Sequence, residues 1–237
     1  MKAVILAGGK GARLAPYTRV IPKPLMPIGD MPILEVLLRQ IKRAGVDDVI
    51  LTVGHMAELL QAFFQNGERL ALPVRYSYED KPLGTAGPLR QISGLDEAFL
   101  VMNGDVLTTL DFNELVECHR RSGAMVTVAV HPRDVKIDLG VLRLDGDSRV
   151  VDYIEKPTYN FVVSMGVYVF NPRVLEYIPK GQYFDFPDLI LKLLAANEVV
   201  KVFRFEGYWM DLGRPDDYDQ AVSDFERMRA EFLPEGD

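Results

Sequence analysis

Glycines and cations are concentrated near the start of the chain, in residues 6–27, LAGGKGARLAPYTRVIPKPLMP. Three glycines fall within four positions: Gly8, Gly9 and Gly11. Backbone N–H groups beside such glycines can approach phosphate oxygens closely, because no side chain intervenes. Arg13 and Lys23 add two positive charges that can neutralise a polyphosphate. These residue types and their spacing predict a phosphate-binding loop.

The spacing of the glycines and cations in this segment argues against two known classes of nucleotide-binding loop. It matches neither the dinucleotide-binding fingerprint nor the phosphate-loop NTPase pattern, which requires Gly-Lys followed by Ser or Thr. The structural alternative is a tight turn after a strand, in which the glycines only relieve crowding. Arg13 and the Lys23-Pro24 pair weigh against that alternative, because a simple turn does not need them.

Two aspartates follow segments with the composition of strands. Asp105 ends the tripeptide NGD behind the apolar run 98–102, and Asp211 lies in GYWMDLGRP behind the β-rich run 200–205. The carboxyl ends of parallel strands form the sheet edge where ligands bind. Each aspartate also has a structural explanation, Asp105 as a helix cap and Asp211 as part of a turn before the final helix.

Two further segments combine charge with a position after a strand. Residues 78–89, YEDKPLGTAGPL, follow the predicted strand 73–78, and a helix is predicted to start near Ala86. Residues 155–157 form the tripeptide EKP after the predicted strand 149–154. The first segment is equally well explained as an acidic turn between a strand and a helix. The structural alternative for the EKP tripeptide is an ordinary surface pair, because most Glu-Lys pairs are solvated charges.

The elements around these segments alternate between strands and helices. Apolar β-branched runs predict buried strands, and apolar residues three and four positions apart predict amphipathic helices. The order βαβαβ requires right-handed crossovers and gives a mostly parallel sheet. Later β-rich stretches resemble antiparallel ribbons that we expect to cover a substrate. The predicted strands are 2–7, 49–53, 73–78 and 98–103; the ribbons are 125–131, 140–145, 149–155 and 163–170; the helices are 32–44, 56–66, 112–122, one capped by Asp185 and one from Pro215 to about 231.

Composition favours one globular domain of 237 residues, with 48% hydrophobic and 26% charged residues. The formal net charge is -7 and the basic residues are scattered, so we expect no nucleic-acid partner. Cys118 is the only cysteine, which excludes an intramolecular disulfide and a Cys-rich zinc site. The start MKAVILAGG is too short for a signal peptide, and no apolar run approaches the roughly 20 residues of a membrane span. We therefore expect a cytoplasmic protein with no membrane partner.

The glycine-rich segment resembles the signature of the sugar-1-phosphate nucleotidylyltransferase family, GGxGxRLxPxT followed by KPLxP. The resemblance covers residues 2 to about 218 and implies an α/β fold, a Rossmann-like three-layer sandwich with a mostly parallel sheet and a small antiparallel sugar-binding subregion. It implies one domain, 1–237, with a nucleotide-binding half of about 1–110 and a sugar-phosphate-binding half of about 111–237. Ala12 departs from the pattern, because many members carry threonine there.

The same resemblance assigns roles to individual residues. Arg13, Lys23 and Asp105 are implied to be catalytic, and Asp105 and Asp211 to bind Mg²⁺. Mg²⁺ prefers hard oxygen ligands together with substrate phosphates. The form EDKPLGTAGPL is most similar to the mannose-1-phosphate guanylyltransferase branch, and guanine donors would suit the Glu79 carboxylate. The implied nucleotide-binding residues are Leu6, Ala7, Gly8, Gly9, Gly11, Glu79, Pro82, Gly84 and Thr85; the implied sugar-phosphate-binding residues are Gly140, Glu155, Lys156 and Ser164.

The function implied is transfer of a nucleoside monophosphate from an NTP to a sugar 1-phosphate, with release of pyrophosphate. GTP with mannose- or heptose-1-phosphate is favoured. The alternatives are thymidylyl or uridylyl transfer to glucose-1-phosphate or another sugar phosphate, transfer to a non-sugar phosphate such as a lipid or choline head group, and a noncatalytic sugar-nucleotide sensor. A homo-oligomer is compatible with the sequence, which does not fix the oligomeric state.

Overall fold

The computed structural model describes residues 1–234, so the last three residues of the predicted domain 1–237 lie outside the described part. Strands and helices alternate through most of this length. In chain order the strands are β1 Lys2–Leu6, β2 Pro27–Ile28, β3 Met31–Pro32, β4 Asp48–Val53, β5 Val74–Tyr78, β6 Phe99–Asn103, β7 Val106–Thr108, β8 Val126–Lys136, β9 Val141–Leu144, β10 Val150–Ile154, β11 Thr158–Phe170, β12 Val200–Arg204 and β13 Trp209–Asp211. The helices are α1 Ile33–Arg43, α2 Ala57–Phe64, α3 Phe112–Ser122, α4 Phe186–Ala195, α5 Pro215–Arg227 and α6 Arg229–Phe232.

A seven-stranded sheet in the order β12-β8-β11-β6-β1-β4-β5 organises the fold. Pairs β1–β4, β1–β6, β4–β5 and β8–β12 are parallel, and β11 runs antiparallel to both of its neighbours. The mostly parallel sheet predicted from the alternating elements is therefore confirmed. Strand β1 lies inside the sheet between β6 and β4, and it delivers the glycine-rich segment to the carboxyl edge of the sheet.

Helices cover both faces of the sheet, because the apolar strands are buried on both sides. In β1, Ala3 and Ile5 pack in a cluster that includes residues of α1, α2 and α3. Val4, between them, packs in a second cluster with residues of α4. Successive side chains of a strand point to opposite faces, so one strand contributes to two separate cores. The three-layer α/β sandwich is thus confirmed.

The antiparallel ribbons are longer than their apolar patterns predict. Strands β8 and β11 begin or end in the central sheet and then pair with each other beyond it, from His131↔Val163 to Lys136↔Thr158. In that distal part of β8, residues 132–136 are exposed, so no buried face produces an apolar alternation. The predicted stretches 125–131 and 163–170 therefore cover only the parts of β8 and β11 that lie near the central sheet. Strands β9 and β10 form a separate hairpin.

Two predicted helices differ from the structure. The helix expected near Ala86 is a short 3-10 helix, Gly87–Gln91. The final predicted helix is interrupted: α5 ends at Arg227 and α6 follows as one turn, which lets the ring of Phe232 stack on Phe225 with centroids 5.6 Å apart. None of the helices in residues 1–234 has the length and apolar character that a membrane span requires.

We predict that Gly166→Ala destabilises the protein. Gly166 has φ of +72°, and a Cβ there would lie 2.5 Å from Nδ2 of the Asn103 side chain. The substitution combines backbone strain with a steric clash, so the free energy of unfolding should fall by about 1–3 kcal/mol in urea denaturation. Gly146→Ala is the control, because nothing lies within 4 Å of its added methyl group. Equal stability of the two variants would contradict the prediction.

Candidate active site

The glycine-rich segment leaves β1 and folds back on itself in three short 3-10 turns. These turns span Ala12–Leu14, Tyr17–Arg19 and Lys23–Leu25. Gly11 has φ of +59°, and the Thr18 hydroxyl donates a hydrogen bond of 2.8 Å to its carbonyl oxygen. Nothing lies within 4 Å of the side-chain direction of Gly9. The loop is therefore held by its own contacts while part of its backbone stays open to a ligand.

A cleft of about 290 Å³ opens beside this loop. It contains residues from the loop, from the NGD turn and from the later DLG turn. Three segments far apart in the sequence therefore meet at the carboxyl edge of the sheet, as predicted. The lining residues are Leu6, Ala7, Gly9, Gly11, Ala12, Arg13, Lys23, Pro24, Asp105 and Gly213.

The short ribbon β7–β13 brings the two aspartates together. Asp105 occupies the turn between β6 and β7, and Asp211 ends β13, opposite Val106 of β7. The Leu212 amide donates a hydrogen bond of 3.2 Å to the Asp105 carbonyl oxygen. A Cβ on Gly104 would lie 3.1 Å from the Leu6 carbonyl oxygen, so glycine allows the NGD turn to approach the end of β1. The structure thus brings Asp211 close to Asp105, which lines the cleft.

Lys23 links the two carboxylates. Its Nζ donates to Oδ2 of Asp105 and lies 3.7 Å from Oδ1 of Asp211. The Lys23 side chain is only 11% exposed, whereas that of Asp211 is 45% exposed. Taking a charge out of water is costly unless an opposite charge is close. The ammonium therefore keeps two carboxylates side by side that would otherwise repel each other.

The electrostatics of the cleft favour an additional cation. Burial raises the pKa of Asp211, the charge of Asp105 raises it further, and Lys23 and Arg13 only partly oppose this. Oδ1 of Asp105 is buried and has no hydrogen-bond partner in the described part of the chain. Two carboxylates with an unsatisfied oxygen suit Mg²⁺, which is usually held by one or two carboxylates plus substrate phosphates. Residues 1–234 contain no group of three or more His, Cys, Asp and Glu that could hold a metal ion.

Arg13 lies across the DLG turn. A Cβ on Gly213 would be 3.1–3.2 Å from the guanidinium atoms of Arg13, so a larger residue would require the guanidinium to shift. Our sequence interpretation singled out Asp211 in this turn and missed Gly213. The signal was present in the tripeptide DLG, because a glycine next to a candidate ligand often permits close approach of another group.

Glu79 connects the glycine-rich loop to the segment after β5. Its Oε2 accepts a hydrogen bond of 3.0 Å from the Leu83 amide, and its Oε1 would lie 3.1 Å from a Cβ on Gly8. Burial raises the pKa of Glu79, although the Leu83 amide lowers it in part. The carboxylate is therefore half-buried against the loop, with one oxygen engaged in closing its own turn. Its role in recognising a base stays a prediction.

The other residues predicted to bind the nucleoside lie in the same segment. Pro82 is exposed, and Gly84 has φ of +79°. Thr85 is hydrogen-bonded to the residue before α4: its amide and its hydroxyl donate hydrogen bonds of 2.8 and 3.0 Å to Oδ1 of Asp185. We had identified Asp185 only as a helix cap, and a contact between residues 100 positions apart leaves no local pattern in the sequence.

The predicted sugar-phosphate residues lie on the antiparallel ribbons. Glu155 accepts a hydrogen bond of 3.0 Å from the Tyr153 hydroxyl, and Lys156 Nζ lies 3.7 Å from Oε1 of Glu155. The Tyr153 ring also fills the side-chain direction of Gly140. The structure thus brings these predicted residues together around a tyrosine that the sequence did not single out. In the described residues, Gly140, Glu155 and Lys156 form no hydrogen bond or ion pair with Lys23, Asp105 or Asp211.

Ser164 lies in a part of β11 that is hydrogen-bonded to β13, the strand that ends at Asp211. Its hydroxyl lies 2.9 Å from the Tyr168 hydroxyl. The next residue, Met165, accepts a hydrogen bond of 3.0 Å from the indole N–H of Trp209, two positions before Asp211. The strand that carries Asp211 therefore also supports the part of β11 in which Ser164 lies.

Comparison with known proteins agrees with this geometry. A family model described as nucleotidyl transferase matches residues 2–227. The chain belongs to the nucleotidyl transferase family. It is 35% identical to a UTP–glucose-1-phosphate uridylyltransferase of Synechocystis sp. over 242 residues, covering 94% of this chain and 62% of the relative. It is 34% identical to a mannose-1-phosphate guanylyltransferase of Mycobacterium tuberculosis over 233 residues, covering 95% and 64%.

Solved structures support the fold of this nucleotidyl transferase. HddC from Yersinia pseudotuberculosis superimposes with a TM-score of 0.73 and 28% identity, covering 94% of this chain and 99% of HddC. HddC complexed with GMP-PN gives a TM-score of 0.71 and 27% identity, with the same coverage. The chain spans a little over three fifths of the length of the two curated relatives. The uridylyl and guanylyl names of those relatives leave the base and the sugar open.

We predict that Glu79→Gln stabilises the protein at neutral pH. A carboxyl group whose pKa is raised on folding contributes stability below its unfolded pKa, and this contribution is lost as the pH rises through the folded value. Glutamine keeps an acceptor for the Leu83 amide and cannot ionise. The urea midpoint of the variant should exceed that of the wild type at pH 7, and the difference should vanish below about pH 4. Exposed Glu97→Gln is the control; the same pH-dependent gain in that variant would disprove the assignment to burial.

Proposed function

We propose that this chain transfers a nucleoside monophosphate from an NTP to a sugar 1-phosphate and releases pyrophosphate. The observation that carries the proposal is the contact of Lys23 with Asp105 and Asp211 in a cleft lined by the glycine-rich loop. Polyphosphate binding needs backbone N–H groups and cations, and metal-assisted phosphoryl chemistry needs carboxylates beside them. Membership in the nucleotidyl transferase family supports the same reaction class.

In the reaction we propose, an oxygen of the sugar 1-phosphate attacks the α-phosphorus of the NTP. The new P–O bond forms as the bond from the α-phosphorus to the bridging oxygen of pyrophosphate breaks. The attacking phosphate is already ionised near neutral pH, so no residue has to act as a general base. The chain therefore contributes positioning and charge neutralisation, which are the main sources of catalysis in such displacements.

We assign these contributions to the two halves of the domain. In the half from 1 to about 110, the loop residues Leu6, Ala7, Gly8, Gly9 and Gly11 bind the phosphates, while Arg13 and Lys23 offset their charge. In the half from about 111 to the C-terminus, Lys156 holds the sugar phosphate, and Glu155 accepts hydrogen bonds from sugar hydroxyls. Mg²⁺ bound by Asp105 and Asp211 would supply further neutralisation of the phosphate oxygens.

We favour GTP as the nucleotide and mannose- or heptose-1-phosphate as the acceptor. The segment 78–89 resembles the guanylyl branch, a relative at 34% identity is named a mannose-1-phosphate guanylyltransferase, and the solved neighbour HddC was complexed with GMP-PN. Uridylyl transfer to glucose-1-phosphate is the second candidate, because another relative at 35% identity carries that name.

We predict that Asp105→Ala and Asp211→Ala each reduce Mg²⁺-dependent pyrophosphate release by about 100-fold or more, because each removes an anionic ligand that no neighbouring group replaces. The assay contains NTP, sugar 1-phosphate and Mg²⁺. Asp147→Ala is the control, since Asp147 is exposed at the far end of the β9–β10 hairpin. Turnover at the wild-type rate in both cleft variants would reject the metal assignment.

A matrix of GTP, UTP, dTTP, ATP and CTP against mannose-, glucose- and heptose-1-phosphate should identify the substrates. We expect pyrophosphate release to be fastest with GTP and with mannose- or heptose-1-phosphate. Fastest release with UTP and glucose-1-phosphate would instead establish the second candidate. Binding of a sugar nucleotide with no pyrophosphate release from any pair would indicate a noncatalytic sensor, and the proposed reaction would then be wrong.

A further inference from the structure

The segment Leu83-Gly84-Thr85-Ala86-Gly87 lies against the residues that lead into α4. The Phe184 amide donates a hydrogen bond of 2.9 Å to the Leu83 carbonyl oxygen. The amides of Ala86 and Gly87 both donate to the Phe184 carbonyl oxygen, also at 2.9 Å. We call these five residues the LGTAG segment. Its backbone is therefore fixed by a stretch of chain from the other half of the domain.

Asp185 completes this attachment with its side chain. Oδ1 accepts hydrogen bonds from the Thr85 amide at 2.8 Å and from the Thr85 hydroxyl at 3.0 Å. The same hydroxyl accepts a hydrogen bond of 2.9 Å from the Phe186 amide. A threonine hydroxyl has one donor hydrogen, so that of Thr85 is fully used within the protein. Thr85 therefore supports the loop through its side chain rather than offering its hydroxyl hydrogen to a ligand.

The two glycines of the LGTAG segment make this close approach possible. A Cβ on Gly84 would lie 2.7 Å from Oδ1 of Asp185, and one on Gly87 would lie 2.9 Å from the Gln182 carbonyl oxygen. Gly84 also has φ of +79°, which other residues rarely adopt. The two glycines are thus explained by their contact with residues 182–185.

Asp185 is held in its ionised form. Burial raises its pKa, but hydrogen bonds from the Tyr183 hydroxyl and from Thr85 lower it more, so the pKa lies below its ordinary value. The Tyr183 bond, to Oδ2, is 2.7 Å long. Hydrogen bonds to a carboxylate are shorter and stronger than those between neutral groups. The start of α4 also carries a partial positive charge that favours an anion.

We propose that Asp185 is a positioning residue for the nucleotide, which it serves by fixing the LGTAG segment through Thr85. The inference rests on the proposed function, because it takes this segment to contact the nucleoside. Asp185 itself contacts no substrate in this assignment. A helix cap with no further role would stabilise α4 but would leave nucleotide affinity unchanged, so the two roles are separable by measurement.

The test compares Asp185→Ala with Asp188→Ala. Asp188 belongs to the same helix start and accepts a hydrogen bond of 3.4 Å from the Asp185 amide, but it makes no hydrogen bond to the LGTAG segment in the described residues. For Asp185→Ala we expect the KM for the NTP, and its Kd without sugar phosphate, to rise about tenfold, with the KM for the sugar 1-phosphate unchanged. Asp188→Ala should leave all three constants at the wild-type values.

Two further variants keep the test decisive if Asp185→Ala fails to fold. Asp185→Asn retains a carbonyl oxygen for Thr85, so its NTP affinity should lie between those of the wild type and the alanine variant. Thr85→Val keeps the shape of the side chain and leaves Asp185 at the start of α4, but it removes the hydroxyl that joins them. We expect it to raise the Kd for the NTP several-fold, because it loses two of these hydrogen bonds.

The binding measurement separates failure of this inference from failure of the proposed function. An unchanged Kd for the NTP in both Asp185→Ala and Thr85→Val, or an equal rise in KM for both substrates, would overturn the positioning role while the reaction itself stands. A wild-type protein that binds NTP but releases no pyrophosphate would refute the reaction and still test the inference through Kd. A wild-type protein that binds none of the five NTPs would overturn both.

Discussion

The contact of Lys23 with Asp105 and Asp211 is the interaction on which the rest of the site depends. Two carboxylates in a half-buried cleft repel each other and lose hydration, and both effects raise the pKa of Asp211. The ammonium of Lys23 offsets the repulsion from a position that is almost closed to solvent. Because one cation serves two anions, the cleft keeps an unsatisfied oxygen, Oδ1 of Asp105. Lys23 thus stabilises the pair of carboxylates and still leaves one carboxylate oxygen without a partner, which can bind another cation.

The fold can be understood as the means of bringing these three residues together. Lys23 follows β1, Asp105 follows β6, and these strands are parallel neighbours in the sheet. Asp211 comes from near the end of the chain and reaches the same place only because β13 pairs with β7. Small residues at the crossing points, Gly104 and Gly213, leave room for Leu6 and Arg13. The contacts of the cleft are therefore long-range in sequence and short in space.

Local periodicity predicted the buried strands, whereas contacts between distant residues, such as that of Thr85 with Asp185, leave no pattern in the sequence. Buried strands such as β1 and β6 have apolar runs on both faces, so their positions and their shared edge could be predicted. The distal parts of β8 and β11 could not, because exposure on both faces removes the pattern. The glycines of the LGTAG segment suggested a ligand site, yet the geometry shows that Gly84 and Gly87 make room for residues 182–185. Glycine signals close approach, but not the identity of the group that approaches.

The charges around Lys23 bear on what the proposed reaction would require. Within the described cleft, the charges of Asp105 and Asp211 are balanced by those of Lys23 and Arg13, so the cleft as it stands is close to neutral. An NTP and a sugar phosphate would each bring several negative charges, and a neutral cleft cannot offset them. In the proposed reaction, further positive charge would come from outside this group, from a divalent cation at the unsatisfied carboxylate oxygen and from a cation such as Lys156 on the exposed ribbon. Under the proposed function, such a cleft would favour an NTP and a sugar phosphate together with a metal over either substrate alone.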